Sequence, residues 1–331
     1  MKQILSKLFD YESLSADQAG ELFRGITQGK YNDVQIASLM TVFLMRNISL
    51  EELNGFRSAL MEYSKPIDFG THDYIDIVGT GGDGKDTFNI SSCASVVVAA
   101  SGYKVVKHGN YGATSISGAS NVMEQHGVKF HSDEDRLRKS LDECNLAYLH
   151  APMFNSAMKA VATIRRDLGV RSFFNMLGPL INPAEPKNQL LGVYNLAMQR
   201  MYSYILQRNE TNFAVVHSLD GCDEISLTAP FKVCATSGER IYTPEELGFS
   251  VAKEQELYSG DTIEQAAAIF DSVLEGKSTA PQRGCVVANA AFAINTMSPE
   301  KSITKCIEIA EETIRSGRAL TTFKRFIELN S

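Results

Sequence analysis

A chain of 331 residues, 44% hydrophobic and 21% charged, carries enough apolar side chains for one large domain or two ordinary ones. Its net charge of −7 argues against a broad basic face for nucleic acid, although phosphate ligands need only a local positive field. The six cysteines are scattered with no C-x-x-C pair, which disfavours a disulfide framework or a zinc site. No run of about 18 apolar residues offers a membrane span. The first fifteen residues, MKQILSKLFDYESLS, lack the apolar core and small-residue cleavage site of a signal peptide, so the expected compartment is the cytoplasm.

From the N-terminus, residues 1–65 read as helices. Ser15-Ala16-Asp17-Gln18 and Ser49-Leu50-Glu51-Glu52 are capping boxes, in which a hydroxyl and an N3 side chain satisfy each other's backbone N–H groups. Asn32 caps a helix whose Ile36, Leu39, Met40 and Phe43 share one face. Lys65-Pro66 closes the region, because a residue before proline is steered away from helical geometry. Beyond it the pattern changes to short buried strands at 75–78, 104–107, 147–149, 190–194 and 213–216, separated by helical segments. One of these is a small-residue helix at 91–100, closed by Gly102. Residues 152–168 read as one long helix with Pro152 near its start, and the stretch from Thr262 is again mostly helical. The expected fold is α/β: a small N-terminal helical domain over 1–68, completed by helices from 152–185, and a larger domain over 69–331 with a mainly parallel sheet flanked by helices.

Two loops carry the chemistry. Gly79-Thr80-Gly81-Gly82-Asp83-Gly84 follows a strand and precedes a helix, so its backbone can turn sharply and offer N–H groups to an anion beside a helix N-terminus. Thr87, Asn89, Ser91 and Ser92 add side-chain donors there. The run is neither the dinucleotide fingerprint nor the P-loop. Asp83 would repel a bare phosphate, which points to ribose hydroxyls or a metal ion between them. Lys107-His108-Gly109-Asn110-Tyr111-Gly112-Ala113-Thr114-Ser115 follows the next strand. Ligands bind at the carboxyl ends of strands in open α/β sheets, so the two loops can face one cleft.

These residues resemble the signatures of the anthranilate phosphoribosyltransferase family. The first lies in Asp76-x-Val78-Gly79-Thr80-Gly81-Gly82-Asp83-Gly84 with Thr87-Phe88-Asn89-Ile90-Ser91, and the second in Lys107-His108-Gly109-Asn110. A third runs from Arg165-x-Asp167-Leu168-Gly169-Val170-Arg171 into Phe174-Asn175-x-Leu177-Gly178-Pro179-Leu180-x-Asn182-Pro183, and a fourth is Asp220-Gly221-x-Asp223-Glu224-Ile225-Ser226. The resemblance covers nearly the whole chain. It implies a homodimer formed through the helical domain, and a reaction of anthranilate with phosphoribosyl diphosphate that releases pyrophosphate in tryptophan biosynthesis. It further implies that Gly79, Gly82, Asp83, Thr87, Asn89, Ile90, Ser91, Ser92, Lys107, Ser115 and Ala119 bind the ribose diphosphate. Gly79, Asn110 and Arg165 match anthranilate positions, and Ser91, Asp223 and Glu224 match Mg²⁺ positions. The chain departs from the family in its second loop, with Tyr111 in place of the usual Arg, Ile116 in place of a basic residue, Ala119 for Ser and Asn121 for Asp.

The implied chemistry suits these residue types. Mg²⁺ takes one or two carboxylates together with substrate phosphates, as an adjacent Asp-Glu pair after a strand allows. A guanidinium fork such as that of Arg165 matches a carboxylate bidentately. An aniline-type nitrogen is neutral near pH 7, so no side chain is assigned as acid or base, and positioning and electrostatics carry the reaction. Two other readings use the same residues: a pyrimidine nucleoside phosphorylase of related architecture, and a non-catalytic relative that binds nucleic acid.

Overall fold

The computed structural model describes residues 1–112 and 116–331. Four helices open the chain: α1 (Lys2–Phe9), α2 (Ala16–Thr27), α3 (Asp33–Arg46) and α4 (Leu50–Met61). Strands and helices then alternate as β1 (Tyr74–Gly79), α5 (Ile90–Ala100), β2 (Lys104–Gly109), α6 (Ala119–Gln125), α7 (Glu134–Cys144) and β3 (Leu146–His150). Next come a short α8 (Ala151–Phe154), a 3-10 turn (Ser156–Met158) and α9 (Lys159–Leu168). They are followed by β4 (Asn188–Gly192), α10 (Leu196–Arg208), β5 (Asn212–Ser218), β6 (Phe231–Ala235) and β7 (Gly238–Tyr242). The chain closes with α11 (Ile263–Leu274), α12 (Ala280–Met297), α13 (Ile303–Arg315) and α14 (Arg318–Asn330). Two compact units result: Met1–Ile67 with Ala151–Pro183, and Asp68–His150 with Ala184–Ser331.

The helical unit starts from its caps. Ser15 Oγ accepts from the Gln18 N–H at 3.2 Å while Gln18 Oε1 accepts from the Ser15 N–H at 3.1 Å. Asn32 with Gln35, and Ser49 with Glu52, repeat the arrangement. Glu52 is fully buried and also accepts from the Leu14 N–H at 2.8 Å and the Arg46 guanidinium at 2.5 Å. A charge so far from water is tolerable only when paired and hydrogen-bonded in this way. The core of the unit is aromatic. The Phe56 ring lies 6.4 Å from Phe23, 5.7 Å from Phe43 and 4.7 Å from Phe173, the last supplied by the second chain segment.

Residues 152–168 do not form the single helix that their local pattern predicts. The chain breaks at Asn155, with φ −113° and ψ 67°. Its buried side chain accepts from the Ser64 hydroxyl, and its amide donates to the Ile181 carbonyl at 3.5 Å. Partners about 90 and 26 residues away in sequence thus override helix propensity. Likewise α4 ends at Met61, before the Lys65-Pro66 stop.

In the other unit the described strands form one seven-stranded sheet of order β3-β2-β1-β4-β5-β6-β7. The first five are parallel, and β6 and β7 add an antiparallel edge. The fourth strand lies two residues before its expected start, and the β6–β7 hairpin has no counterpart among the expected strands. Helices α5 and α12 pack onto the sheet through Cys93, Val96, Val97, Val286, Val287 and Ile294, all at 0% exposure. Small and branched side chains there let helix and sheet backbones approach closely.

Candidate active site

The strand order places β1 between β2 and β4, so the chain leaves β1 to one side and returns to its other side through β4. That is the topological switch point at which open α/β sheets bind ligands. Gly79 ends β1 and pairs with Gly192 at the end of β4, and the Thr80 N–H donates to the Gly192 carbonyl at 2.9 Å. Both glycines are required by Asp223, which follows β5. A Cβ at Gly79 would lie 2.3 Å from Asp223 Oδ2, and one at Gly192 would lie 1.6 Å from the Asp223 carbonyl oxygen.

Three carboxylates meet the glycine-rich loop here. Asp223 Oδ2 accepts from the Gly81 N–H at 2.6 Å and from the Thr80 hydroxyl at 3.4 Å. Asp83 accepts from the Asp223 N–H at 3.3 Å and from the Lys85 N–H at 3.0 Å. Glu224 Oε1 accepts from the Ser91 N–H at 2.9 Å, in the first turn of α5. The amides that suit a phosphate are thus bonded to carboxylates of the chain itself. Side-chain ligand atoms of Asp83, Cys222 and Asp223 lie within 4.8 Å of one another.

Burial raises the Asp223 pKa well above the usual carboxylate range, with the charges of Glu224 and Asp83 adding to it. Burial likewise pushes Glu224 up to about 7, against the Ser91 amide, which lowers it. Three carboxylates brought together, with the Lys107 charge acting on Glu224, form a donor set that fits a hard divalent ion with oxygen ligands. Cys222 contributes little to such an ion, because burial holds its thiol well above the ordinary range and therefore protonated.

Lys107 is almost wholly buried and donates to the Ile77 carbonyl. Burial lowers its pKa, while the charges of Asp76 and Glu224 raise it. Asp76, buried in β1, accepts from the His108 N–H at 3.1 Å and so ties β1 to β2. The described residues of the second loop are held mainly by side-chain amides. Asn121 Oδ1 accepts from both the Gly112 N–H at 3.1 Å and the Gly118 N–H at 3.0 Å, drawing together the two ends of the segment. Asn89 donates to the Ser117 carbonyl at 3.0 Å and accepts from the Ser117 hydroxyl at 2.6 Å, which links this loop to the start of α5. Asn110 Oδ1 accepts from the Tyr111 N–H at 2.8 Å, which engages the oxygen of that amide and leaves its nitrogen the donor end. The Tyr111 hydroxyl donates to Glu124 at 2.6 Å, its ring stands 4.9 Å from that of His150, and the Glu124 bond pushes its pKa up to about 12.

The structure therefore brings Gly79, Asp83, Ser91, Asp223 and Glu224 together, with Asn89 bound to the second loop. Ile90 and Ser92 are buried in the first turn of α5: Ile90 packs into the apolar core, while the Ser92 hydroxyl has no hydrogen-bond partner among the described residues. Thr87 pairs with Tyr258 as an isolated bridge, and Ala119 is the first residue of α6. Thr114 and Ser115 lie outside the described residues. Arg165 belongs to the helical unit, half-buried on α9 with its guanidinium 5.9 Å from the Phe174 ring, and burial lowers its pKa.

Family models match along both units: a glycosyl transferase family helical bundle domain over residues 2–64, and a glycosyl transferase family a/b domain over residues 71–320. The anthranilate phosphoribosyltransferase of Bacteroides fragilis is 62% identical over 330 residues, covering 100% of each chain. The Flavobacterium psychrophilum enzyme of the same name is 49% identical, again over 100% of each chain. The crystal structure of the Thermus thermophilus anthranilate phosphoribosyltransferase superposes with a TM-score of 0.90 at 32% identity, covering 98% of both chains. The chain belongs to the anthranilate phosphoribosyltransferase family. A Saccharomyces cerevisiae member in complex with PRPP and Mg matches with a TM-score of 0.90 at 26% identity, over 98% of this chain and 96% of that one.

Against the family signatures, sequence reasoning missed two residues that shape the acidic turn. Gly192 stands in an ordinary apolar strand, and only its contact with Asp223 gives it meaning. Ser218 donates its hydroxyl to the Glu224 carbonyl at 2.7 Å, at the end of β5. A glycine at a strand end beside a glycine-rich loop was the one available signal.

Proposed function

We propose that this chain transfers the phosphoribosyl group of 5-phosphoribosyl 1-diphosphate to the amino group of anthranilate, releasing pyrophosphate in the second step of tryptophan biosynthesis from chorismate. The observation that carries this reading is the meeting of Asp83, Asp223 and Glu224 with the Gly81 and Ser91 amides at the sheet's switch point. The amine lone pair forms the new bond to ribose C1, the C1–oxygen bond breaks, and its electron pair leaves on pyrophosphate. The nitrogen then sheds one proton to water. Holding amine and C1 in line contributes on the order of 7–11 kcal/mol when the geometry is right.

In this reading Ser91, Asp223 and Glu224 hold Mg²⁺, the ion present with PRPP in the yeast relative. When bound, the ion neutralises the diphosphate leaving group. The amides of Gly81 and Ser91, held here by the chain's own carboxylates, and the backbone of Gly82 would serve phosphate oxygens. Lys107 supplies a buried positive charge, and Asp83 faces the ribose or the metal-bound end of the diphosphate. Asn110 presents its amide N–H₂ to the acceptor, and Arg165 takes the anthranilate carboxylate. We place the reaction in the cytoplasm, in a homodimer formed through the helical unit, which sedimentation will test.

The decisive assay mixes protein, anthranilate, phosphoribosyl diphosphate and Mg²⁺ and follows anthranilate fluorescence. No loss of signal at high enzyme concentration sinks the proposal. Turnover of thymidine or uridine with phosphate would favour a phosphorylase instead, and salt-dependent retention on DNA a non-catalytic binder. Arg165→Ala should raise the anthranilate KM far more than the diphosphate KM.

A further inference from the structure

Helix α12 is almost entirely apolar where it crosses the core, yet Asn289 sits in its middle at 2% exposure. An amide there is costly unless its hydrogen bonds are made. Asn289 makes three. Its Nδ2 donates to the Ile225 carbonyl at 2.9 Å and to the Cys285 carbonyl at 2.8 Å, and its Oδ1 accepts from the Ile225 N–H at 3.2 Å. Both backbone groups of Ile225 are thereby held by one side chain, as a neighbouring strand would hold them, at a place where the chain has left β5 and has no ladder partner. Ile225 directly follows Asp223 and Glu224. The rest of that turn is anchored around it: the Glu224 carbonyl by Ser218 at 2.7 Å, the Ser226 N–H by the same hydroxyl at 3.2 Å, and the Ser226 carbonyl by the Cys285 thiol at 2.7 Å.

We infer that Asn289 is a positioning residue, which fixes the backbone at Ile225 and through it the directions in which Asp223 and Glu224 point. It touches no reacting atom. The inference rests on the proposed role of those carboxylates in holding Mg²⁺ with diphosphate. A side chain of the same size without hydrogen-bonding atoms leaves two buried backbone groups unpaired, and the turn must move to satisfy them.

The test is Asn289→Leu, with Asn289→Ser as a milder variant and Val287→Ala as a control that perturbs the same buried helix without removing a hydrogen bond to the turn. Binding of Mn²⁺ in the presence of pyrophosphate is read by electron paramagnetic resonance, alongside KM values and melting temperature. We expect both Asn289 variants to weaken Mn²⁺–pyrophosphate binding and raise the diphosphate KM by tenfold or more, with the anthranilate KM within twofold of the parent. Val287→Ala should lower the melting temperature and leave those constants unchanged. Asn289 variants that lose stability but keep metal and diphosphate constants within twofold would overturn the inference. A parent protein that binds no Mn²⁺ with pyrophosphate would overturn the functional reading itself. Should both variants fail to fold, hydrogen exchange on the parent decides: a slowly exchanging Ile225 amide supports the clamp, and one that exchanges as fast as an exposed loop refutes it.

Discussion

The loops after β1 and β2 stand side by side at the same end of the sheet, yet they are held by opposite kinds of chemistry. The first is gripped by charge: Asp223 and Glu224 accept its Gly81 and Ser91 amides. Among its described residues the second is held largely by neutral amides, Asn121 on the Gly112 and Gly118 N–H groups and Asn89 on Ser117, beside the Tyr111 bond to the Glu124 carboxylate. Charged contacts in a buried place are strong and conditional, because they depend on protonation and on cations. Amide contacts are weaker and nearly indifferent to both. On the proposed reading, the Gly81 and Ser91 amides held by carboxylates are the ones that a metal–diphosphate would take over, while the Asn121 and Asn89 contacts would be left as they are.

The largest expected effect comes from removing the charge. Asp223→Asn with Glu224→Gln should cost on the order of 10²–10³-fold in kcat/KM, the scale of losing one preorganised electrostatic contact or more. A Mg²⁺ titration unchanged in this variant would erase the contrast between the loops. Gly192→Ala comes next. Its new Cβ would fall 1.6 Å from the Asp223 carbonyl oxygen, so the acidic turn must shift, and a misplacement near 1 Å costs about 10²-fold. Circular dichroism that reports an intact fold would separate this from unfolding.

The charged loop also predicts a pH response. Glu224 rises from 4.5 to about 7 in the folded chain, and Asp223 rises too. In that window the folded state binds more protons than the unfolded one, so stability is fullest below about pH 4.5 and is lost as pH climbs through 7. Without added divalent metal, the melting temperature attributable to these two groups should fall by on the order of several degrees between pH 5 and 7.5. The Asn–Gln double variant should flatten that slope; an equal slope in both proteins would refute the assignment.

For the amide-held loop the effects are smaller. Asn121→Ala removes one acceptor from two N–H groups and should raise the diphosphate KM by up to about thirtyfold, since each neutral bond contributes about 1 kcal/mol. It should add no new salt or metal dependence. Tyr111→Phe, which loses only the Glu124 bond, should change KM by less than about threefold. Tyr111→Arg restores the cation usual in the family, and should tighten the diphosphate at low salt and lose that gain at high salt.

Local chemistry was legible in the sequence. The caps at Ser15, Asn32 and Ser49 form as their spacing demands. The glycine-rich run does follow a strand and precede a helix, and the acidic pair does follow β5. What was not legible depends on contacts between segments far apart. Asn155 breaks a helix because Ser64 and Ile181 compete for it. The β6–β7 hairpin carries Gly238, Glu239 and Arg240, an exposed edge strand without the apolar run that marks a buried one. Asn289 is one amide in an alanine-rich helix, and no pattern within that helix announces the turn it holds.

The split ancestry of the helical unit has a consequence for synthesis. Met1–Ile67 leaves the ribosome well before Ala151–Pro183, yet Phe173 belongs to the same aromatic core as Phe43 and Phe56. At about 5–20 residues per second, the nascent helices wait on the order of ten seconds for that ring. During the interval the helices cover one another through Phe23, Phe43 and Phe56 but lack the cover of Phe173, while β1 to β3 emerge behind them. A chain stalled before Phe173 is thus the species that chaperones are expected to find.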